Sequence, residues 1–354
     1  MPKSSVTIVD VAKAAGVSVT TVSRVLNNKD DVSEETYQRV SQVIEELEYS
    51  SSLAARSMRS RKTGVIGVIM PDVEDPFSIL VIKGVNRAIV ELGYDLLIYT
   101  SGDIRYNASA STENKYVSLL NNSVTDGLIM VTPVSSSFSS VAPVVAVDPN
   151  IHNPSGPAVI ATNFEGAVDA TNHLIALGHR RIAFIGGRDD LISAHVRREA
   201  FEQTMSSVGI PLIPDLMRKG EFTTESGIEA AKELFSIDQP PTAIFAANDQ
   251  SAIGVIKVAE AAGIRIPEDL SLVGFDNIPE AAYHDLTTID QFVDQLGYVG
   301  TVMLVKLIKG IPLDNELETI NTKLVIRGSS KSLTKRETGN KTGFMSSVKG
   351  TQRR

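Results

Sequence analysis

The sequence predicts an α/β protein with a small all-helical N-terminal head and a core of two doubly wound, parallel-sheet lobes. In residues 1–49 the apolar side chains recur at helical spacing. From residue 63 onward, apolar runs of strand length alternate with amphipathic helices, the pattern of parallel strands covered on both faces. About 265 residues of this pattern exceed what one twisted sheet accommodates, so two lobes are expected.

Capping residues mark the ends of three helices in the predicted head. Thr7 and Asp10 match the capping-box pattern that starts helix one, and Gly16 ends it. Ser18 caps helix two after a very short connection, which forces a steep crossing and predicts a helix-turn-helix. Ser33 starts helix three. The side chains expected in the core are Ile8, Val11, Ala12, Ala15, Val17, Val22, Val25, Tyr37, Val40, Ile44 and Leu47.

Polar side chains follow several strand-like runs of the predicted core. The runs are Val65–Met70, Asp95–Thr100, Gly127–Thr132, Val144–Val147, Ile182–Ile185, Ala243–Ala246 and Leu270–Phe275. Amphipathic helices between them include Phe77–Leu92, Phe164–Leu177 and Gln250–Ala262. Five polar residues each lie within three residues after the end of a run: Asp72, Asp148, Asn248, Asp249 and Asp276. Because ligands of doubly wound sheets bind beyond the carboxyl ends of the strands, these residues predict a polar ligand site.

Two segments flank the core of residues 63–330. Residues 50–62 are basic, rich in small side chains and without apolar periodicity, as in a tether that becomes helical only when it is stabilised. Residues 331–354 hold seven Lys or Arg against one Asp or Glu, and their polarity predicts disorder. The net charge of −8 is unevenly distributed: residues 1–62 carry +1, residues 63–330 carry −15 and residues 331–354 carry +6. Any nucleic-acid contact is therefore expected at one end of the chain.

Composition and motifs exclude several classes of protein. The sequence has no cysteine, no apolar run long enough for a membrane span and no secretory signal, so a cytoplasmic protein without disulfides is expected. The patterns G-x-G-x-x-G, G-x-x-x-x-G-K-[ST], G-x-S-x-G and H-E-x-x-H do not occur, and the five histidines lack metal-ligand spacing. Neither an enzyme, a cofactor nor a metal is therefore predicted, although paired carboxylates at the predicted ligand site would also suit a glycosidase.

Several segments, in order, closely resemble the lactose/galactose repressor family. They are TIVDVAKAAGVSVTTVSRVLNN (7–28), HLIALGHRRIAFIGG (173–187), PTAIFAANDQSAIGV (241–255), IPEDLSLVGFDNI (266–278) and LTTIDQ (286–291). The match covers about residues 6–330. The resemblance implies a helix-turn-helix DNA-binding head, a hinge and a periplasmic-binding-protein-like core. It also implies that one lobe, nearer the DNA, spans about 63–162 and 291–321, and that the distal lobe spans 163–290 and 322–330.

The second helix of a helix-turn-helix places its first turn against base edges in the major groove. Since Val22 must face the core, Val19, Thr20, Ser23 and Arg24 face outward. The resemblance implies that Val19, Thr20 and Arg24 read bases; a guanidinium suits guanine and methyl groups suit thymine. An alternative is a solvated helix face with one arginine.

Other DNA contacts are implied at helix ends and in the hinge. Four short side chains suit phosphate contacts, although helix capping explains each of them nearly as well: Thr7, Ser18, Ser23 and Asn27. Ala55, Arg56 and Met58 would line the minor groove, with Met58 as an apolar wedge where relatives usually have Leu. Ser51 and Ser52 replace the usual Pro-Asn, and a linker without groove contact stays open as an alternative. The wedge needs a pair, so a homodimer on a palindromic operator is expected; the tail lacks the leucine heptad of tetrameric relatives.

The resemblance also implies a small-molecule effector in the cleft, with a sugar favoured. The positions that match the family's pocket are Phe77, Ser78, Asp148, Arg197, Phe222, Asn248, Asp249, Asp276 and Gln291, with Asp72 and Asp75 as possible additions. Structural roles compete: Asp249 as a helix cap, Arg197 paired with Glu199 or Asp249, and Phe222 in the core. The implied function is a repressor of a carbohydrate-utilisation operon. Within the same family, the alternative is control by a nucleobase or a protein corepressor. Outside it, the alternative is a solute-binding receptor or a sugar-acting enzyme.

Overall fold

The computed structural model describes residues 6–26, 31–47, 49, 62–101, 110–120 and 124–333. Several predicted positions lie outside these residues, so the structure describes no contact for them: Asn27, Ser51, Ser52, Ala55, Arg56 and Met58. The predicted tether, except for residue 62, and the predicted tail after residue 333 lie outside them as well.

Three helices form the head: α1 (Ile8–Ala15), α2 (Val19–Leu26) and α3 (Glu34–Glu46). The predicted capping box is confirmed, because Asp10 N donates to Thr7 Oγ1 and Thr7 N donates to Asp10 Oδ2. Gly16 adopts φ 66°, the left-handed conformation that ends many helices at a glycine. The predicted core side chains form one cluster, in which Val11, Val22 and Val40 are fully buried.

The first lobe is built on a six-stranded, all-parallel sheet. Its strands are β1 (Val65–Met70), β2 (Asp95–Thr100), β3 (Gly127–Val131), β4 (Val144–Val147), β5 (Ala158–Ala161) and β11 (Leu317–Ile320), in the order β11-β5-β4-β3-β1-β2. Its helices are α4 (Pro76–Leu92), α5 (Ala110–Leu120) and α11 (Val293–Ile308). Every residue of β1 and β3 is buried, as the uniformly apolar runs predict.

The second lobe repeats the strand order of the first. Its strands are β6 (Ile182–Ile185), β7 (Met217–Arg218), β8 (Ala243–Ala246), β9 (Ser271–Asp276), β10 (Thr287–Asp290) and β12 (Lys323–Val325), in the order β12-β10-β9-β8-β6-β7. All pairs are parallel except β10 with β12. Its helices are α6 (Asn163–Ala176), α7 (Ile192–Ser207), α8 (Thr224–Ser236), α9 (Asp249–Ala262) and α10 (Pro279–Tyr283), with a 3₁₀ turn at Pro214–Leu216.

The chain passes between the lobes from β5 to α6, from β10 to α11 and from β11 to β12. The first and third passages are hydrogen bonded to each other, because Thr322 N donates to Thr162 Oγ1 at 2.8 Å and the two hydroxyls lie 3.0 Å apart. Close packing of α4 on α11 depends on Gly84, where a Cβ would collide with the Asp294 carbonyl. The two lobes are thus connected by three passages of the chain, two of which are hydrogen bonded to each other.

The predicted fold class, a helical head with two parallel-sheet lobes, is confirmed. Five strands have no counterpart among the predicted runs: β5, β7, β10, β11 and β12. All five are short, and all except the apolar β5 are partly polar. The described start of the predicted disordered tail is hydrogen bonded to the second lobe, since Lys331 N donates to Ser271 Oγ and Leu333 N donates to Leu177 O. Among the described residues, no helix combines the length and apolarity that crossing a bilayer requires.

Candidate ligand cleft and DNA-binding head

A cleft of about 440 Å³ lies between the lobes, at the carboxyl ends of both sheets. The first lobe lines it with Pro71, Asp72, Glu74, Asp75, Pro76, Phe77, Ser78, Thr132 and Asp148. The second lobe lines it with Arg188, Leu191, Ser193, Arg197, Glu221, Phe222, Thr223, Thr224, Glu225, Asn248, Gln250 and Asp276. Such a volume suits a small ligand, and the position agrees with the rule for doubly wound sheets.

Most of the predicted effector residues meet at this cleft. Seven of the nine line it: Phe77, Ser78, Asp148, Arg197, Phe222, Asn248 and Asp276. The other two, Asp249 and Gln291, are fully buried and lie behind it, where they bond to residues that shape the wall. The two possible additions, Asp72 and Asp75, line the cleft as well.

Arg197 on α7 is the centre of the wall formed by the second lobe. Its side chain is 5% exposed, and Nη1 lies 3.3 Å from Asp276 Oδ1. Nη1 also donates to the Ala247 carbonyl at 2.6 Å, and Nε donates to Asn163 Oδ1 at 2.9 Å. The guanidinium lies 3.8 Å from the centre of the Phe275 ring, a cation–π contact. Its ion-pair partner is thus Asp276.

Asp276 ends β9 and carries the most strongly constrained carboxylate at the cleft. Gln291 Nε2 donates to Asp276 Oδ1 at 2.5 Å, on the same oxygen that faces Arg197. The pKa of Asp276 is raised to about 7, chiefly by burial, with the charges of Asp75 and Asp148 acting in the same direction and Arg197 and Gln291 opposing them. Near neutral pH this carboxyl therefore exchanges between a hydrogen-bond donor and an acceptor.

Asp249 and Asn248 divide the roles at the start of α9. Asn248 is the N-cap, since its Oδ1 accepts from Ser251 N at 3.0 Å, and its Nδ2 donates to the Phe222 carbonyl at 2.9 Å. Asp249 accepts from Thr288 Oγ1 at 2.6 Å and from Ile278 N at 3.0 Å. Burial raises the pKa of Asp249 well above its ordinary value, and the charge of Asp276 adds to this. Asp249 thus joins the ends of neighbouring elements rather than facing the ligand space.

Backbone strain concentrates at the cleft. Four of its lining residues have positive φ without being glycine: Thr132, Asp148, Phe222 and Asp276, at 50°, 51°, 61° and 112°. Such conformations persist only when the surroundings impose them, and they cluster at functional sites. The ring of Phe222 occupies the space beside Gly187, where any Cβ would collide with it. The position of this ring is therefore set by its close packing on Gly187.

The first lobe contributes carboxylates that are held less tightly. Asp75 caps α4, because its Oδ2 accepts from Ser78 N and Ser78 Oγ, each at 2.9 Å. Asp148 is half-buried and makes no side-chain hydrogen bond within the described residues. Burial raises the pKa of Asp148, and Arg197 across the cleft opposes this shift. The carboxylate oxygens of Asp148 are thus available to a ligand, unlike those of Asp276.

Sequence reasoning missed part of the cleft wall. The neighbours of the predicted Phe222 follow β7, a strand of two residues whose Met-Arg sequence gives no apolar run to mark its end: Glu221, Thr223, Thr224 and Glu225. Arg188 follows the predicted strand β6, so the strand-end rule could have found it. Asn163, which supports Arg197, opens α6 directly after the unpredicted strand β5.

In the head, the predicted base-reading side chains share one exposed surface of α2. Val19, Thr20 and Arg24 are exposed, whereas Val22 and Val25 are buried. Arg24 Nε lies 3.3 Å from Asp31 Oδ2, with both side chains more than half exposed. Ser23 is half-buried.

Thr7 and Ser18 have confirmed capping geometry. Thr7 belongs to the capping box, and Ser18 Oγ accepts from Thr21 N at 3.1 Å. Both side chains are exposed, so contact with a phosphate stays a prediction alongside the capping role. Within the described residues no three His, Asp or Glu side chains lie together as a metal site would need.

Comparison with known proteins gives two family matches. Residues 7–52 match the bacterial regulatory proteins of the lacI family, and residues 171–330 match the periplasmic binding protein-like domain. The HTH-type transcriptional repressor CytR of Escherichia coli (strain K12) is 32% identical over 339 residues, which cover 94% of this chain and 98% of CytR. The ribose operon repressor of Halalkalibacterium halodurans is 35% identical over 330 residues, covering 92% and 97%.

Among solved structures, the lac repressor dimer bound to operator and the anti-inducer ONPF has a TM-score of 0.82. It is 26% identical in sequence, and the match covers 93% of this chain and 100% of that one. The likeness therefore extends over the head and both lobes together.

Proposed function

Because the chain belongs to the lacI family of bacterial regulatory proteins, we propose that it represses a carbohydrate-utilisation operon under the control of a neutral sugar. It is a DNA-binding protein with a helix-turn-helix head and a periplasmic-binding-protein-like core. The observation that carries the proposal is the convergence of seven predicted effector residues on one cleft between the lobes. The named relatives are transcriptional regulators, one of them a ribose operon repressor.

Contact with operator DNA is assigned to the exposed surface of α2. Val19, Thr20 and Arg24 reach base edges in the major groove, while Thr7 and Ser18 position the head on phosphates. A homodimer places two heads on the half-sites of a palindrome, in keeping with the lac repressor dimer to which the chain is similar. Ala55, Arg56 and Met58 of the hinge line the minor groove between them. Since operator DNA lies in the bacterial cytoplasm, we place the protein there.

The side chains of the cleft suit a polyhydroxylated ring. Carboxylate, amide and guanidinium groups offer several hydrogen bonds, and the fixed face of Phe222 suits the C–H groups of a sugar. Seven carboxylates line the cleft (Asp72, Glu74, Asp75, Asp148, Glu221, Glu225 and Asp276), against two guanidinium groups.

Both guanidinium groups already face a carboxylate. Arg188 lies 2.6 Å from Asp190, and Arg197 lies 3.3 Å from Asp276. A phosphorylated or acidic sugar would therefore meet a surplus of negative charge without a free cation among the described lining residues. We assign the effector to the neutral sugars on this ground.

The proposed control is a shift between cleft conformations. An effector changes DNA affinity only if it binds one conformation of the lobes better than the other. The first lobe connects to the hinge, so its position relative to the second lobe would set the spacing of the two heads. The sign of the effect, release or recruitment of DNA, is decided by which conformation the effector prefers.

A thermal-shift screen of the purified full-length protein tests the effector class. The panel pairs each neutral sugar with its phosphate (ribose with ribose 5-phosphate, glucose with glucose 6-phosphate) and includes purines. We expect a concentration-dependent rise of the melting temperature with one neutral sugar and none with its phosphate. A shift with a purine or with a sugar phosphate, and none with neutral sugars, would contradict the assignment.

A substitution in α2 tests the DNA-binding surface. Arg24→Ala should weaken binding to the preferred operator by about 1–3 kcal/mol and relax specificity at the base pair that Arg24 reads. The preferred site is obtained by selection from random duplexes, and affinities are measured by fluorescence anisotropy. Lys13→Ala, an exposed cation of α1, is the matched control for lost charge. Equal weakening on every sequence would show that Arg24 contacts phosphate and not a base.

A further inference from the structure

Asn150 connects the two lobes at the edge of the cleft. It follows β4 in the first lobe, two residues after Asp148. Its Nδ2 donates to the Asp190 carbonyl at 2.8 Å, and its Oδ1 accepts from Ile192 N at 2.7 Å. Both partners lie in the second lobe between β6 and the first turn of α7. One amide group thus satisfies a donor and an acceptor across the interface between lobes.

The backbone of Asn150 is fixed in its own lobe. Its N–H donates to the Pro133 carbonyl in the loop after β3, at 2.8 Å. Pro149, directly before it, is buried and has a restricted φ. The side chain therefore extends from a rigid base, and the opposite orientation of the amide would place its NH₂ against an N–H and its oxygen against a carbonyl.

On the other side, the bond from Ile192 completes the N-terminus of α7. The N-cap residue of this helix is Leu191, which makes no side-chain capping hydrogen bond. The first amides of a helix need acceptors from outside it. Asn150 supplies one of them, so it acts as a cap provided by the opposite lobe. The same helix carries Ser193 and Arg197 into the cleft.

We propose that Asn150 is a positioning residue that holds the N-terminus of α7 against the first lobe and thereby keeps the cleft closed. Its action on the effector rests on the proposed function, because it reaches the ligand through Ser193 and Arg197. The hydrogen bonds themselves do not depend on which ligand binds. Separation of the lobes breaks both of them and uncaps α7.

Spin labels measure the separation of the lobes directly, since the sequence contains no cysteine. Val141, 80% exposed in the first lobe, and the exposed Lys232 on α8 are replaced by labelled cysteines in the full-length protein. In this background Asn150→Ala should add a longer component to the distance distribution, with the ratio of closed to open molecules falling roughly tenfold. Hydrogen exchange of the Ile192 amide should accelerate by about the same factor.

Two further variants keep the outcome specific to the hydrogen bonds. Asn150→Asp keeps the acceptor for Ile192 N but loses the donor to the Asp190 carbonyl, so it should separate the lobes, and accelerate exchange of the Ile192 amide, less than Asn150→Ala does. Asn153→Ala, an exposed residue of the same loop, should leave both measurements unchanged. Circular dichroism verifies that each variant is folded.

Unchanged distances and unchanged exchange in Asn150→Ala would overturn the proposal. So would a distance change of equal size in Asn153→Ala. These measurements need no ligand, so they decide the role of Asn150 even where the sugar panel fails. If no neutral sugar shifts the melting temperature, the proposed effector is contradicted, but the distances and exchange rates of the Asn150 variants remain valid.

Discussion

The two lobes share one strand order and yet contribute to the cleft in different ways. The fourth strand of each sheet in chain order, β4 and β9, leads to an aspartate of positive φ, Asp148 in the first lobe and Asp276 in the second. Asp276 faces Arg197 and Gln291 at 3.3 and 2.5 Å, whereas Asp148 makes no side-chain hydrogen bond within the described residues. The aspartate side chain at this position is thus held by two side chains in the second lobe and by none in the first.

This difference indicates that the two lobes play different roles in ligand binding. The second lobe holds its ligand-facing groups in a hydrogen-bonded network of its own residues, because Asn163, Arg197, Asp276 and Gln291 bond to one another. The first lobe presents Asp72, Glu74 and Asp75 from an exposed segment. We expect a ligand to bind the hydrogen-bonded wall of the second lobe first and the first lobe to close on it, since preorganised groups lose little freedom on binding.

The largest expected effect tests the constraint in the second lobe. Arg197→Met removes the buried countercharge of Asp276, and it should lower the free energy of unfolding by about 3–5 kcal/mol. Urea unfolding at pH 8, followed by circular dichroism, measures the change. Arg188→Met is the control: its partner Asp190 is more than half exposed, so the loss should stay below about 1 kcal/mol. Equal losses in the two variants would refute the assigned difference.

The pH dependence of stability sharpens the same comparison. The folded pKa of Asp276, about 7, lies above the ordinary aspartate value of 3.8, so the folded protein keeps a proton that the unfolded chain releases. This contribution is complete below about pH 4 and is lost as the pH rises through 7. Relative to the non-titrating Asp276→Asn, the parent protein should lose roughly 2 kcal/mol of stability between pH 5 and pH 8.

Urea unfolding of both proteins at several pH values measures that difference, and comparison with Asp276→Asn cancels the titration of groups that the two proteins share. A difference that does not change with pH would show that Asp276 is ionised throughout the range. A difference that grows in favour of the parent protein at high pH would reverse the assigned direction.

The smallest expected effect on stability belongs to the first lobe. Asp148→Asn should change the free energy of unfolding by no more than about 0.5 kcal/mol, because no network depends on this carboxylate. Its affinity for the sugar found in the thermal-shift screen should nevertheless fall at least tenfold, as measured by isothermal titration calorimetry. Destabilisation comparable to that of Arg197→Met would show that the lobes are equally constrained.

Much of the fold was predictable because strong local signals agree with the tertiary structure. The three head helices carry their caps in the sequence, and long apolar runs marked β1, β3 and β9. The short strands β7 and β12 were not predictable, since two or three residues of mixed polarity form a strand only because a neighbouring strand offers hydrogen bonds.

The cleft was predictable where a site residue ends an apolar strand, as Asp276 does, or closely follows one, as Asp148 and Asn248 do. Pairings across elements were not: the sequence left Glu199 and Asp249 open as partners of Arg197, whereas the folded chain brings Asp276 to it. The positions of Asp249 and Gln291 behind the wall depend on how β8, β9 and β10 lie side by side in the sheet of the second lobe. Sequence spacing does not encode such distances.

The measurement that tests the central claim most directly is operator affinity with and without the sugar found in the screen. A selected operator duplex is titrated with full-length protein, and fluorescence anisotropy gives the Kd at saturating sugar and without it. The account predicts a change of at least about fivefold in the parent protein, and in Asp148→Asn the same change only at a sugar concentration at least about tenfold higher. The same Kd with and without saturating sugar would contradict control of the head by the cleft.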